Sequence, residues 1–267
     1  MKKTIWKWTI RLSVTALVCF SLLFVIVLNP SIMYANKTVY RNYSIYHQQQ
    51  LNPLWLPKID QATAQLKHSE LYDSTFSLSL CLNDGSKYPA LIEIIQGKAF
   101  GRGFHNKIVL YGTPDFDNNY VALNGRKWNL SQLLVHEAIH CLQFNKYGWW
   151  DSKPFANIPN WKWEGYPEYI ARNNPDQQSL SGSIHRLSEA EQNNNTGWIN
   201  FEDGTGASLT YFKNWLLVTY CMDIKKMSFD QLLKDTSDYQ QRWDEMMNWY
   251  RVTQRGEKKE NTNRGEQ

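Results

Sequence analysis

The ten residues Leu133–Leu142, LLVHEAIHCL, hold two histidines and a glutamate among seven apolar side chains. A segment this apolar belongs in a core, and its three polar groups are costly to desolvate unless something pairs with them. No other feature of the 267-residue chain constrains the fold as tightly. A helix meets the requirement, because positions i and i+4 share a face and His136 and His140 then converge on one point. A metal ion, bound by each imidazole at about 2.0–2.1 Å, is the partner such a pair calls for. Glu137 lies one residue further round, where its carboxylate can reach a water at the metal without being a ligand. Asn129 or Ser131 can cap the helix and Gly148 can end it.

The rest of the chain frames this segment. Lys2, Lys3, Lys7 and Arg11 precede the uncharged run Leu12–Leu28, LSVTALVCFSLLFVIVL, which nearly matches the thickness of a hydrocarbon core. Residues 1–35 therefore read as a cytoplasmic basic stub and a signal anchor, with a cleaved signal peptide as the other reading. Either way, the positive-inside rule puts the following domain outside the cytosol. Those four basic residues account for the whole net charge of +4, so the body is balanced and a nucleic-acid partner has no support. Cys81, Cys141 and Cys221 allow at most one disulfide and read as buried thiols.

Residues 36–52 read as a polar linker and 53–252 as the folded domain. A disordered tail is expected over 253–267, which is almost devoid of apolar residues. Within the domain, 53–69 carries a helical period, while 76–82, 90–95 and 107–111 read as strands and the GRG of 101–103 as a turn. From Asn129 onward the pattern is mostly helical. A small sheet followed by helices is an α+β arrangement.

Two histidines do not complete a catalytic zinc site, which takes three protein ligands and leaves a position for water. Downstream lies WKWEGYPEYIA, residues 161–171. Together with H-E-x-x-H it resembles the gluzincin metallopeptidases, the clan of thermolysin and the M1 aminopeptidases. It is most similar to bacterial peptidase MA-like proteins, in which W-x-x-E-G-x-x-E-Y follows on a second helix. The resemblance covers about 40 residues, Leu130 to Ala171.

It implies a zincin-like fold: a small N-terminal sheet, an active-site helix, then a mostly helical lobe, all preceded by one transmembrane helix. It also implies one Zn2+ held by His136, His140 and Glu164, with Glu168 hydrogen-bonding a ligand histidine. Glu137 becomes the general base toward a peptide or protein substrate. By order along the chain, Tyr211 resembles the residue that stabilises the oxyanion in related enzymes, and a core aromatic is the other reading. Because Pro167 is tolerated only in a first turn, the second helix is expected to begin near Trp163 or Glu164. Strand 107–111 could be an edge strand that pairs with substrate. Trp161 and Trp163 read as core, while Trp149 and Trp150 could line a cleft. His47, His68, His105 and His185 have no motif around them and read as surface or structural. The competing reading is a non-catalytic module at the cell surface with a structural or degenerate metal site. Glu137 argues against it, since a structural zinc has no use for a glutamate beside the water position.

Overall fold

The computed structural model describes residues 2–193 and 197–265, with side chains for 6–193 and 197–255. Residues 194–196 of the expected domain and 266–267 of the expected tail lie outside the described residues. The chain is a mixed α+β protein preceded by one apolar helix. That helix, α1 (Lys2–Leu28), contains the segment Trp6–Leu28, long and apolar enough to cross a membrane.

The sheet begins where a linker is expected. β1 (Asn36–Tyr40) and β2 (Tyr43–His47) form an antiparallel hairpin. Next come α2 (Trp55–Leu66), β3 (Leu78–Cys81), α3 (Tyr88–Gln96), β4 (Gly101–Phe104) and β5 (Lys107–Leu110). Five strands pair in the order β1-β2-β3-β5-β4, with β2, β3 and β5 parallel and β4 antiparallel at the edge. Successive residues point to opposite faces of a strand. Ile45, Leu80 and Ile108 thus enter the main core, whereas Tyr46, Cys81 and Val109 enter a second, smaller core against Tyr34, Tyr88 and Ile92. Both faces of the sheet are covered, so β3 and β5 are buried throughout.

Four sequence expectations are corrected here. Residues 36–52 are not a linker, because β2 pairs with β3 and places Tyr43 and Ile45 in the core. Residues 90–95 are helical: Pro89 starts α3, Ile92 is buried, and Ile94 and Ile95 face outward. A short apolar run does not distinguish strand from buried helix, and packing decides it. GRG is part of β4 rather than a turn, and it is β4, not residues 107–111, that forms the edge.

A three-stranded antiparallel sheet, β6 (Thr113–Asp115), β7 (Tyr120–Leu123) and β8 (Arg126–Asn129), leads into α4 (Leu130–Tyr147). Asn129 is the cap, its side chain accepting from the Gln132 N–H at 3.2 Å, and α4 ends at Gly148. Every residue of α4 from Leu130 to Gln143 is buried. A helix with that burial lies inside the molecule, between the β4–β5 side of the sheet and α2, with α5 (Asn160–Ala171) on a further side.

The remaining elements are α6 (Leu180–Gln192), the hairpin β9 (Trp198–Asn200) with β10 (Gly206–Ser208), α7 (Leu209–Thr219), α8 (Phe229–Lys234) and α9 (Tyr239–Gly265). Helix α9 continues through most of the segment expected to be disordered. A helix already nucleated at Tyr239 adds each further residue without a new nucleation cost.

The second site helix starts at Asn160, not at Trp163 or Glu164, and Pro167 lies inside it. Proline at that place removes the donor for the carbonyl of Trp163. The side-chain amide of Gln143 on α4 supplies it instead, Nε2 donating to that oxygen at 3.1 Å. Glycine at 165 lets α5 press onto α7. A Cβ there would stand 2.6 Å from both the Asn214 carbonyl oxygen and the Val218 side chain.

Alanine at a helix-interior glycine ordinarily gains about 0.5–1 kcal/mol. At 165 the clash is with backbone and outweighs that gain, because overpacking costs about 1–3 kcal/mol. Gly165→Ala is therefore expected to lower the denaturation midpoint in a urea titration. An unchanged or raised midpoint would contradict this packing.

Candidate metal centre

The site is built from α4 and α5. His136 and His140, one turn apart, point the same way from α4, and Glu164 reaches them from the first half of α5. His136 Nε2 and His140 Nε2 lie 3.2 Å apart. Glu164 Oε2 is 3.2 Å from the second and 3.6 Å from the first. His136, Glu137 and His140 are buried and together form a group that can hold a metal ion. The early start of α5 does not misaim Glu164.

The outer nitrogen of each ring faces an acceptor. His136 Nδ1 is 3.0 Å from Glu168 Oε1, and His140 Nδ1 is 2.8 Å from Gln143 Oε1. The Gln143 amide is oriented unambiguously, because its NH2 must face the Trp163 carbonyl and its oxygen therefore faces His140. Each ring accordingly turns Nδ1–H outward, which leaves both Nε2 atoms facing the Glu164 oxygen. Two imidazole nitrogens and a carboxylate oxygen crowd one point and need positive charge between them, which a proton on His136 supplies in the metal-free protein and a metal cation can supply in its place.

The charges around these groups act in the same direction. Burial pulls the His136 imidazole down, but the carboxylates of Glu164 and Glu168 outweigh it and raise its pKa to about 10. Burial opposes ionisation of Glu164, yet the two imidazoles hold its carboxyl well below the usual range. Glu168 is likewise desolvated, and Arg172 and His136 keep it ionised. Arg172, one turn beyond Glu168, is its ion-pair partner, and its guanidinium rests over the rings of Phe201 and Trp215.

Glu137 turns toward β4. A Cβ on Gly101 would meet its Cγ at 3.1 Å, and a Cβ on Gly103 would stand 2.0 Å from its carbonyl oxygen. The two glycines bring the bare edge strand onto the helix beside this carboxylate. Burial raises the Glu137 carboxyl, and the imidazoles and Arg102 only partly offset this. A carboxyl lifted in this way is the better proton acceptor near neutral pH. Tyr211, half-buried in the first turn of α7, has its ring centre 5.7 Å from that of His136. Burial, with Glu164 and Glu137 nearby, raises its phenol well above its ordinary value, so it stays a hydrogen-bond donor.

These groups line one cavity of about 560 Å³, walled by Phe100, Trp128, Phe144 and Trp163. Trp163 is thus both buried and part of the wall, whereas Trp161 is core. Trp149 also lines the cavity and Trp150 does not. His47 is buried and bonded to Thr38 and the Gln49 carbonyl, while Cys81, Cys141 and Cys221 are free and buried.

The sequence places His136, Glu137, His140, Glu164, Glu168 and Tyr211 together, and the structure brings all six to this cavity or directly behind it. Gln143, Arg172, Arg102 and the glycines of β4 were not singled out for the site. A faint signal existed for two of them, since Gln143 and Arg172 stand one helical turn beyond His140 and Glu168. Compared with known proteins, the chain matches no family model and no curated sequence, so the site is argued from its own geometry.

Two outcomes are expected. Gln143→Leu, which removes the acceptor behind His140, and Glu168→Leu, which removes the one behind His136, should each weaken zinc binding by about 10–100-fold in a chelator competition. Unchanged affinity in both would contradict the orienting role. Because His136 holds a proton in the metal-free protein, zinc loading at pH 8 in weak buffer should release about one proton per chain. A titration showing no release would contradict the raised pKa.

Proposed function

We propose that this chain is a membrane-anchored zinc peptidase of the gluzincin type, with a zincin-like fold and a site that resembles that of peptidase MA-like proteins. One observation carries the reading. Tetrahedral ligands at about 2.0–2.1 Å from a common ion stand about 3.3–3.4 Å from one another. His136 Nε2, His140 Nε2 and Glu164 Oε2 are separated by 3.2, 3.2 and 3.6 Å. His136, His140 and Glu164 are the proposed ligands, and Glu168 and Gln143 orient the two rings.

A zinc ion bound by these side chains supplies Lewis acidity toward a carbonyl and makes a water nucleophilic near neutral pH. Glu137 takes the proton of the attacking water and later gives it to the leaving amine. Its place against β4 supports that role, since an extended peptide pairing with this edge strand has its backbone beside the Glu137 carboxylate. Tyr211 donates its phenolic hydrogen to the carbonyl oxygen as negative charge builds there. The aromatic walls limit water around the reacting groups. Helix α1 tethers the domain, and Lys2 and Lys3 ahead of its span, with Lys7 and Arg11 in its first turns, favour a domain outside the cytosol.

The test is zinc content and casein hydrolysis by the purified full-length chain and its variants. Wild type should hold one zinc per chain and cleave in a chelator-sensitive way. Glu137→Gln should keep the zinc and lose about 10²–10⁴-fold in turnover. His136→Ala should lose both. Tyr211→Phe should keep the zinc and lose about 10²–10³-fold in kcat. Full activity in Glu137→Gln would overturn the mechanism.

A further inference from the structure

The end of the apolar helix is part of the cavity. Phe24, Val27 and Leu28 line the same space as His136, Glu137 and Glu164. This end is fixed to the domain: the Tyr88 hydroxyl donates to the Val27 carbonyl at 2.6 Å, and Val27 and Met33 pack on the smaller core. Four residues of helix rise only about 6 Å, so the cavity opens within about 6 Å of where the span ends.

The rim on that side is apolar and exposed. Ile94 and Ile95 project from α3, and Trp149, Trp150 and Phe155 project from the segment after α4, with Ile94 83% and Trp150 79% exposed. Trp150 and Trp149 both contact Phe155, so the aromatic part is one patch. In water such a patch is a liability, whereas at a membrane surface tryptophans and aliphatic side chains are well placed. The bare edge of β4, Gly101–Phe104, lies along the same cavity.

We propose that the cleft opens at the membrane surface and that its substrate is a polypeptide itself anchored in the bilayer, cut where it leaves the membrane. This rests on the peptidase reading and on α1 as a membrane span. The rim dips into the interface, the anchored chain emerges beside the end of α1, and its first extended residues pair with β4 next to Glu137. Confinement of enzyme and substrate to one surface raises their effective concentration. A freely diffusing peptide has no such advantage.

The test uses the full-length chain in phosphatidylcholine vesicles with two probes. One is a randomised ten-residue peptide library attached to a transmembrane helix, and the other is the same library without it, with cleavage read by mass spectrometry. The anchored library should be cut about 10²-fold faster. Ile94→Ser with Trp150→Ser, neither of which lines the cavity, should erase most of that advantage while leaving zinc content and free-peptide cleavage unchanged. In a Cys19→Ser background, a fluorophore on Trp150→Cys should be quenched by lipids spin-labelled near the headgroup. The same label on Lys226→Cys, beyond α7 and the π-helical segment Tyr220–Ile224 that follows it and outside the cavity lining, serves as the reference and should be quenched less. Equal cleavage of both libraries, or equal quenching at the two positions, would overturn the substrate assignment and leave the peptidase reading standing. Cleavage of neither library by the zinc-loaded chain would overturn both.

Discussion

Three electron-pair donors held about 3 Å apart inside a protein repel one another unless positive charge sits among them, and the structure is organised around that arrangement. The two imidazole Nε2 atoms and the Glu164 oxygen can be kept this close only because each ring is also held from behind. Glu168 backs His136 and Gln143 backs His140. Arg172 in turn keeps Glu168 ionised within the core. Removing one member of such a network leaves another buried and unpaired, which is more costly than losing the single bond.

The backbone around the site follows from the same need. Helix α4 must carry its polar residues deep inside, so it is capped by Asn129 and packed on several sides. The edge strand comes within contact of Glu137 because positions 101 and 103 have no side chains. Helix α5 carries a proline in its interior, and the carbonyl this frees is taken by the same Gln143 that orients His140. A helix defect and a ligand's orientation are thereby tied to one amide group.

Local features were legible in the sequence and distant pairings were not. The i, i+4 pair His136 and His140, a cap at Asn129 or Ser131 and the Glu164–Glu168 spacing are set within a turn or two, and each can be read directly. The hairpin 36–47 was hidden because its burial comes from β3, some thirty residues on, and nothing within NKTVYRNYSIYH reveals that partner. ALIEII is equally apolar as strand or helix, and its position against the sheet decides the matter. The glycines of GRG suggested a turn, whereas their purpose is apposition to a helix more than thirty residues later. Gln143 carries no motif of its own, and its two partners become visible only once α5 lies beside α4.

The central claim concerns which atoms hold the metal, and the most direct measurement is anomalous diffraction at the zinc edge from crystals of the zinc-loaded protein. The account predicts one peak, within about 2.0–2.2 Å of His136 Nε2, His140 Nε2 and a Glu164 carboxylate oxygen, with Glu137 outside bonding distance. A peak ligated by Glu137 in place of Glu164, or zinc located away from the α4–α5 cavity, would contradict it.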